Sequence, residues 1–134
     1  MDSGKKRVLL TGGSGFIGEH LARRFIEGGQ EVYVYDSQAP SISGTTIIGD
    51  ILDSEKLEAA VKECDIIVHL AGLADAGIAQ REPTRSFRVN VESLQSVLEA
   101  CRLCRGKTLI FPSSAAVYGI IEDLPIKESF PLKP

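Results

Sequence analysis

Short apolar runs alternate along the chain with longer segments in which apolar residues recur at helical spacing. The runs are rich in β-branched and aromatic residues, a composition that favours strands. Strands are therefore predicted at Arg7–Thr11, Glu31–Asp36, Thr45–Ile48, 65–70 and 107–111. Helices are indicated by Ile17, Leu21 and Phe25, by Leu57 and Val61 after Ser54, and by Phe87, Val91, Leu94, Leu98 and Cys101 after Pro83. Gly28 ends the first helix and Gly106 ends the third.

The resulting order, β-α-β-β-α-β-α-β, is typical of a doubly wound α/β fold. It predicts a parallel sheet with helices on both faces and right-handed crossovers. The run at 65–70 is apolar enough to be a strand buried on both faces, and the run at 107–111 is interpreted as the next buried strand. After Tyr118 the chain carries Pro125, Pro131 and Pro134, and no further element is predicted there.

Composition and charge narrow the class of protein. The chain has 134 residues, 43% hydrophobic and 25% charged, which is enough for one domain with a core. Its net charge is −3 and no segment is rich in Lys or Arg, so neither nucleic acid nor a membrane surface is an expected partner. No apolar run approaches the ~20 residues of a membrane span, and no signal peptide is recognised. A cytoplasmic protein is expected.

The three cysteines fit a reducing compartment, because a small odd number argues against a disulfide framework. Cys101 and Cys104 form a C-x-x-C pair, which raises a zinc site or a redox pair as alternatives. Both lie within the third helical segment, so they are interpreted as small apolar residues of the core. No metal site is predicted.

A glycine-rich segment, T-G-G-S-G-F-I-G at 11–18, joins the first strand to the first helix. Gly13, Gly15 and Gly18 fit the dinucleotide-binding pattern, and Gly12, Gly15 and Gly18 fit its G-x-x-G-x-x-G variant. In either case Gly15 lets a pyrophosphate approach the backbone and Gly18 lets the helix lie close to the strand. The N–H groups at the helix N-terminus attract the phosphates. The candidate cofactor-binding residues here are Gly12, Gly13, Ser14, Gly15, Phe16, Ile17 and Gly18.

Asp36 ends the second strand, 18 residues after Gly18. A carboxylate at this position accepts hydrogen bonds from the adenosine ribose and repels a 2′-phosphate, which predicts a preference for NAD over NADP. No arginine follows Asp36 to bind such a phosphate. Together the glycine loop and the order of elements predict a Rossmann-type sheet of strand order 3-2-1-4-5. The loop should lie at the switch point between the first and fourth strands.

The glycine segment and four later motifs, in order and spacing, resemble the extended short-chain dehydrogenases and, within them, the NAD-dependent nucleotide-sugar epimerase/dehydratase family. The later motifs are G-D-I at 49–51, V-H-L-A-G at 68–72, F-R-V-N-V at 87–91 and F-P-S-S-A-A-V-Y-G at 111–119. Residues 68–118 are most similar to UDP-glucose 4-epimerases. The H-L-A-A-E-S-H pattern of the dehydratases is missing, which favours an epimerase.

The resemblance assigns part of the cofactor site to two loops. Asp50 would accept a hydrogen bond from the adenine amino group, and Ile51 would pack near the ring. The alternative for Asp50 is a helix-capping role. Leu70, Ala71 and Gly72 would form a turn beneath the cofactor, where the small side chains of Ala71 and Gly72 allow close approach.

The resemblance also implies residues of the active site. Asn90 would order it, although an exposed helical amide is the alternative interpretation. Pro112 and Ser113 would line the cofactor, and Ser114 would hydrogen-bond the reacting sugar oxygen. Where the family usually continues with Gly-Thr, this chain has Ser93-Leu94, which predicts different helix packing.

The family's acid–base pair is Tyr-x-x-x-Lys, in which the lysine lowers the pKa of the tyrosine phenol. The chain contains no such pair, because its tyrosines at 33, 35 and 118 are followed four residues later by Ser37, Ala39 and Glu122. His69 is interpreted as a residue of the core or the sheet end rather than as a general base, since the sequence shows no partner for it.

The resemblance therefore implies the NAD-binding part of a nucleotide-sugar epimerase/dehydratase that acts by transient hydride transfer to NAD. Residues 1–134 are expected to be a Rossmann domain incomplete at its C-terminus and without the substrate domain, which binds cofactor but is inactive. Expected partners are a nucleotide sugar in the full-length protein and a second copy, giving a homodimer or self-association. Without the later elements of the family, the strand at 108–111 is expected to be an exposed apolar edge, and the helix at 87–101 is expected to leave an apolar patch uncovered. Two alternatives are a non-enzymatic NAD(P)-binding redox regulator and a short-chain reductase for another substrate class.

Overall fold

The computed structural model describes residues 4–121 and 124–134. Its strands are β1 (Arg7–Thr11), β2 (Glu31–Asp36), β3 (Thr45–Ile48), β4 (Ile66–His69) and β5 (Thr108–Ile110). Its α-helices are α1 (Phe16–Glu27), α2 (Ser54–Glu63), α3 (Ala76–Arg81), α4 (Pro83–Phe87) and α5 (Ser93–Cys104). A π-helical turn (Arg88–Glu92) joins α4 to α5, and a 3₁₀ helix (Ala115–Tyr118) follows β5.

The five strands form one parallel sheet of order β3-β2-β1-β4-β5, which confirms the predicted topology. Val8 of β1 pairs with Val32 of β2 on one side and with Ile66 of β4 on the other. The chain therefore leaves β1 in one direction along the sheet and later returns on the opposite side of it. The loops that follow β1 and β4 diverge at this switch point, where doubly wound folds bind their ligands.

Apolar side chains fill both faces of the sheet because alternate residues of a strand point to opposite sides. Leu9 and Ile67 pack on one face with Leu57 of α2 and Val97 of α5. On the other face, the core cluster against α1 is formed by Val8, Leu10, Ala22, Val32, Val34 and Val68. Helices therefore cover both faces, as predicted.

The predicted strand at 107–111 is not buried in this chain but forms the exposed apolar edge that was expected for it. β5 spans only Thr108–Ile110 and lies at the edge of the sheet, where β4 is its single neighbour. Ile110 and Phe111 are about half exposed. An apolar run indicates that a segment prefers burial, but the number of neighbouring strands decides whether burial is achieved.

The region between β4 and β5 is more divided than predicted. The helix α3 was not predicted, because it buries none of its six residues and so carries no apolar stripe. It begins where Asp75 accepts a hydrogen bond from the backbone N–H of Ile78 at 3.0 Å. The next helical segment starts at Pro83, as predicted. It is interrupted by the π turn, which no residue pattern in the sequence predicts.

Other expectations about single residues are confirmed. β4 is buried from Ile67 to His69. Cys101 and Cys104 lie in α5 and pack against the core, as their apolar interpretation requires. Residues 124–134 form turns without a helix or strand, while residues 122 and 123 of the predicted irregular tail lie outside the described residues. No helix in the described part of the chain is long and apolar enough to cross a membrane.

Candidate cofactor-binding groove

A groove of about 670 Å³ opens at the carboxyl ends of β1, β2, β3 and β4. The loops after these four strands form most of its walls, and residues of α4 and the π turn complete it. Nine of the predicted cofactor-binding residues line this groove: Gly12, Ser14, Gly15, Asp36, Asp50, Ile51, Leu70, Ala71 and Gly72. The groove therefore collects residues from four separate segments of the sequence.

The glycine loop forms the floor of the groove near β1. Gly12 has a φ of +69°, and a Cβ there would stand 2.6 Å from the backbone nitrogen of Ala71. A Cβ on Gly18 would stand 2.5 Å from the Cα of Gly13, so α1 lies directly on the loop. Gly15 is the N-cap of α1 and makes no side-chain cap. The first N–H groups of α1 thus have no capping side chain and suit an anionic ligand.

Asp36 joins the ends of β1 and β2 at the side of the groove. One carboxylate oxygen accepts a hydrogen bond from the backbone N–H of Ser14 at 2.9 Å, and the other from that of Gln38 at 3.1 Å. The Ser14 hydroxyl in turn donates to the carbonyl of Gln38 at 2.7 Å. A fixed negative charge therefore stands beside the glycine loop, where it favours hydroxyl donors over phosphate.

The loop after β3 is held by a buried phenol. The hydroxyl of Tyr35 donates to the carbonyl of Asp50 at 2.8 Å. Burial, reinforced by the charges of Asp53 and Asp50, raises the pKa of Tyr35 to about 12, so the phenol stays a neutral donor. Asp50 Oδ1 accepts from the backbone N–H of Leu52 at 2.9 Å, while Ile51 packs partly against the core.

The loop after β4 is clamped by Asn90 from the π turn. Asn90 Oδ1 accepts from the backbone N–H of Leu73 at 2.7 Å, and Asn90 Nδ2 donates to the Leu73 carbonyl at 3.1 Å and to the Ser86 hydroxyl at 3.3 Å. Gly72 lies directly beside this amide. Asn90 is therefore not the free helical amide of the alternative interpretation. It does not line the groove but orients a loop that does.

His69 lies in the core beneath the groove, which confirms the interpretation made from sequence. Its Nδ1 is 2.7 Å from the Thr11 hydroxyl, its Nε2 is 3.4 Å from the Ser93 hydroxyl, and its ring stacks on Phe111. Burial lowers the pKa of His69 below its ordinary value, so the ring is neutral at pH 7. The sequence showed no partner because Thr11 and Ser93 are distant along the chain.

The remaining predicted residues lie outside the groove lining. Gly13, within the glycine loop, and Gly18, in the first turn of α1, are buried, while Phe16 and Ile17 are exposed at the start of α1. Pro112, Ser113 and Ser114 are exposed after β5. The Ser114 hydroxyl accepts from the backbone N–H of Ala116 at 3.2 Å and so caps the 3₁₀ helix. The predicted Ser113–Ser114 segment is thus not brought against the groove.

Several residues of the groove were missed in the sequence. Most are neighbours of predicted residues and could have been found by extending each motif: Tyr35, Ser37, Gln38, Ile48, Gly49, Leu52 and Leu73. Arg85 and Val89 lie in a different segment. They are four residues apart, a spacing that places two residues on one helix face, and Val89 belongs to the F-R-V-N-V motif directly before Asn90.

Comparison with known proteins identifies the family. The sequence profile of the NAD dependent epimerase/dehydratase family matches residues 8–134. The chain belongs to that family. It is 36% identical over 92% of its length to UDP-glucose 4-epimerase of Yersinia pestis and 32% identical over 93% to that of Bacillus subtilis. It spans 41% of the length of each of these relatives.

Solved structures of family members have the same fold. UDP-glucose 4-epimerase from Brucella ovis, in complex with NAD, is 37% identical and superposes with a TM-score of 0.86 over 96% of this chain and 42% of its own. The enzyme from Thermus thermophilus, also in complex with NAD, is 33% identical, with a TM-score of 0.83 over 96% of this chain and 44% of its own.

Proposed function

We propose that the groove binds NAD and that the chain is the NAD-binding part of a nucleotide-sugar epimerase. The observation that carries this proposal is the placement of Asp36 beside the N-terminus of α1, at one groove. A carboxylate for the ribose and unpaired N–H groups for the pyrophosphate are the two features that a dinucleotide site requires. The nearest atom to a Cβ on Gly15 is 3.4 Å away, so the backbone there is open to a close ligand.

Each part of the cofactor has residues that would hold it. Asp36 would bind the adenosine ribose, Asp50 and Ile51 would border the adenine, and the loop ending in Gly15 would carry the pyrophosphate. Leu70, Ala71 and Gly72 leave room for the second ribose, because two of the three carry little or no side chain. Bound NAD would accept a hydride from a carbon atom of the sugar.

Ser114 would hydrogen-bond the sugar oxygen that gains or loses a proton, and Pro112 and Ser113 would line the nicotinamide. In the described structure these residues are exposed, and the Ser114 hydroxyl accepts from the Ala116 N–H, which leaves its own hydrogen to donate to that oxygen. A nucleotide sugar is the substrate class that we propose for the whole protein, by analogy with the UDP-sugar complexes of related structures.

We expect the 134-residue chain to bind NAD and to catalyse no epimerisation. The groove supplies the cofactor contacts, whereas Tyr-x-x-x-Lys does not occur anywhere in the sequence. Calorimetric titration with NAD should give saturable binding at one site per chain, and a coupled assay with UDP-glucose should give no product above background. Absence of NAD binding would refute the proposed function. Turnover would show that the base is not a tyrosine of that motif.

We also expect the chain to associate with a second copy of itself. Within residues 4–121 and 124–134, β5 has only β4 as a neighbouring strand, and 47% of Ile110 and 53% of Phe111 is exposed. The outer side of the helix that follows Pro83 exposes 49% of Val91 and 51% of Leu98. An apolar face of this kind marks an interaction site.

Sedimentation velocity at tens of micromolar chain would measure this association. The double variant V91E/L98E should shift the chain toward monomer, because two charges at an apolar interface lose their hydration. Ile120→Glu is the matched control, since Ile120 is fully exposed and lies outside that helix. A wild-type chain that remains monomeric throughout this range would contradict the expectation.

A further inference from the structure

Ser93 interrupts the regular hydrogen bonding of its helix. Its backbone N–H donates to the carbonyl of Arg88, five residues earlier, which is the bond that defines the π turn. The carbonyl of Val89 thereby loses its usual backbone donor. The Ser93 hydroxyl donates to it instead at 2.5 Å. A serine at this position therefore returns a donor to the carbonyl from which its own N–H has been withdrawn, which the Gly of the family's usual Gly-Thr has no side chain to do.

The hydroxyl of Ser93 also determines which nitrogen of His69 carries the proton. Its single hydrogen is directed at the Val89 carbonyl, which can only accept, so its oxygen faces His69 Nε2 as an acceptor. At the other end, the backbone N–H of Ala71 donates to the Thr11 hydroxyl oxygen at 3.4 Å. The Thr11 hydrogen is then free for His69 Nδ1, 2.7 Å away. Only the His69 tautomer protonated at Nε2 gives every donor and acceptor of this hydrogen-bond chain a partner.

The result is a directed chain of hydrogen bonds that passes beneath the groove. It runs from the N–H of Ala71 through Thr11, His69 and Ser93 to the carbonyl of Val89. Its three side chains belong to residues that are at most 1% exposed. Both ends belong to residues of the groove lining. Loss of the hydrogen bond at one end of this chain should therefore alter the hydrogen bonding at the opposite wall of the groove.

The chain also bears on the clamp made by Asn90. Asn90 follows Val89 directly in the π turn, and its amide holds both backbone groups of Leu73. The position of that amide depends on the π turn, because an uninterrupted α-helix would rotate every residue before the turn by about 100° relative to those after it. Ser93 stabilises the turn and so acts on the loop 70–73 through Asn90.

We propose that Ser93 and His69 are positioning residues for the cofactor groove, which together hold the π turn and the loop 70–73 in register. Neither touches the groove itself. The consequence for NAD affinity rests on the proposed function, whereas the hydrogen-bond chain and its effect on the loop do not. The two parts are tested by separate measurements.

The first test is the ring of His69 in the wild-type chain. A long-range ¹H–¹⁵N NMR spectrum at pH 7 distinguishes the two neutral tautomers and the cation. We expect a neutral ring protonated at Nε2, with Nδ1 unprotonated. A proton on Nδ1 would overturn the proposal, because the bond to Thr11 would then run in the opposite direction. This measurement needs neither a variant nor NAD.

The second test compares Ser93→Ala with Ser96→Ala. Ser96 is the matched control, because its hydroxyl bonds the carbonyl four residues earlier at 3.1 Å but has no contact with His69. In Ser93→Ala we expect the Leu73 amide to exchange with solvent about tenfold faster, which corresponds to ~1.4 kcal/mol, the upper part of the range that one hydrogen bond contributes. The Gly12 amide, which donates to the Tyr35 carbonyl, should not change.

The ratio of these two exchange rates decides the proposal, since a general loss of stability would speed both amides alike. Equal acceleration, or none, would overturn it. NAD affinity should fall about tenfold in Ser93→Ala and remain unchanged in Ser96→Ala. If the wild-type chain does not bind NAD, the proposed function is wrong, yet the exchange ratio and the tautomer still decide whether Ser93 and His69 position the loop.

Discussion

Gly12→Ala is expected to lower the free energy of unfolding by ~2–5 kcal/mol and Gly18→Ala by ~1–3 kcal/mol. A Cβ at Gly18 would stand 2.5 Å from the Gly13 Cα, and at Gly12 2.6 Å from the Ala71 nitrogen. Both obstacles are backbone atoms, which cannot move aside as a flexible side chain can. Forced overpacking costs ~1–3 kcal/mol, and the positive φ of Gly12 adds ~1–2 kcal/mol for any residue with a Cβ. Urea unfolding followed by circular dichroism would measure the loss.

Gly15→Ala is the matched control, because it belongs to the same loop but has space. Its φ is −78°, and the atom nearest to a new Cβ is 3.4 Å away. We expect its stability to stay within about 0.5 kcal/mol of the wild type. Its NAD affinity should nevertheless fall, since the methyl group would stand where the pyrophosphate approaches. A loss of stability equal to that of Gly18→Ala would mean that the loop is packed differently from this description.

Asp36→Asn is expected to reduce the preference for NAD over NADP by about tenfold or more. Hydrogen bonds to a charged group contribute ~1.5–3 kcal/mol, and the amide also removes the repulsion of a 2′-phosphate. The substitution keeps an oxygen that can accept from the Ser14 N–H, so the loop should persist. Calorimetric titrations with both cofactors would give the two affinities.

Asp53→Asn is the control for the loss of one negative charge. Asp53 caps α2 by accepting from the backbone N–H of Lys56 at 3.1 Å and is not among the residues of the groove. Asn caps a helix about as well as Asp, so this substitution should change stability by less than about 0.5 kcal/mol and leave the cofactor preference unchanged. If wild-type chain binds NADP as tightly as NAD, or if both variants shift the preference equally, Asp36 does not contact the ribose.

The sequence by itself determined the strands and their order in the sheet. Apolar period and glycine position depend on neighbours a few residues apart, so β3 was predicted with its observed bounds and the glycine loop was placed between β1 and α1. Strand order followed because right-handed crossovers leave few topologies for this alternation. Asp36 was located for the same reason, since a strand end is a local feature.

Only the tertiary structure decided which residues meet. His69 showed no partner in the sequence, because its two partners lie 58 and 24 residues away along the chain. Arg85 entered the groove through the placement of α4, which no pattern in its own segment specifies. The burial of an apolar run also depends on its neighbours, and β5 remained exposed because only one strand lies beside it. The apolar period of a segment shows only that the segment prefers burial. Whether it is buried, and which residues it meets, is decided by contacts between segments that are distant along the chain.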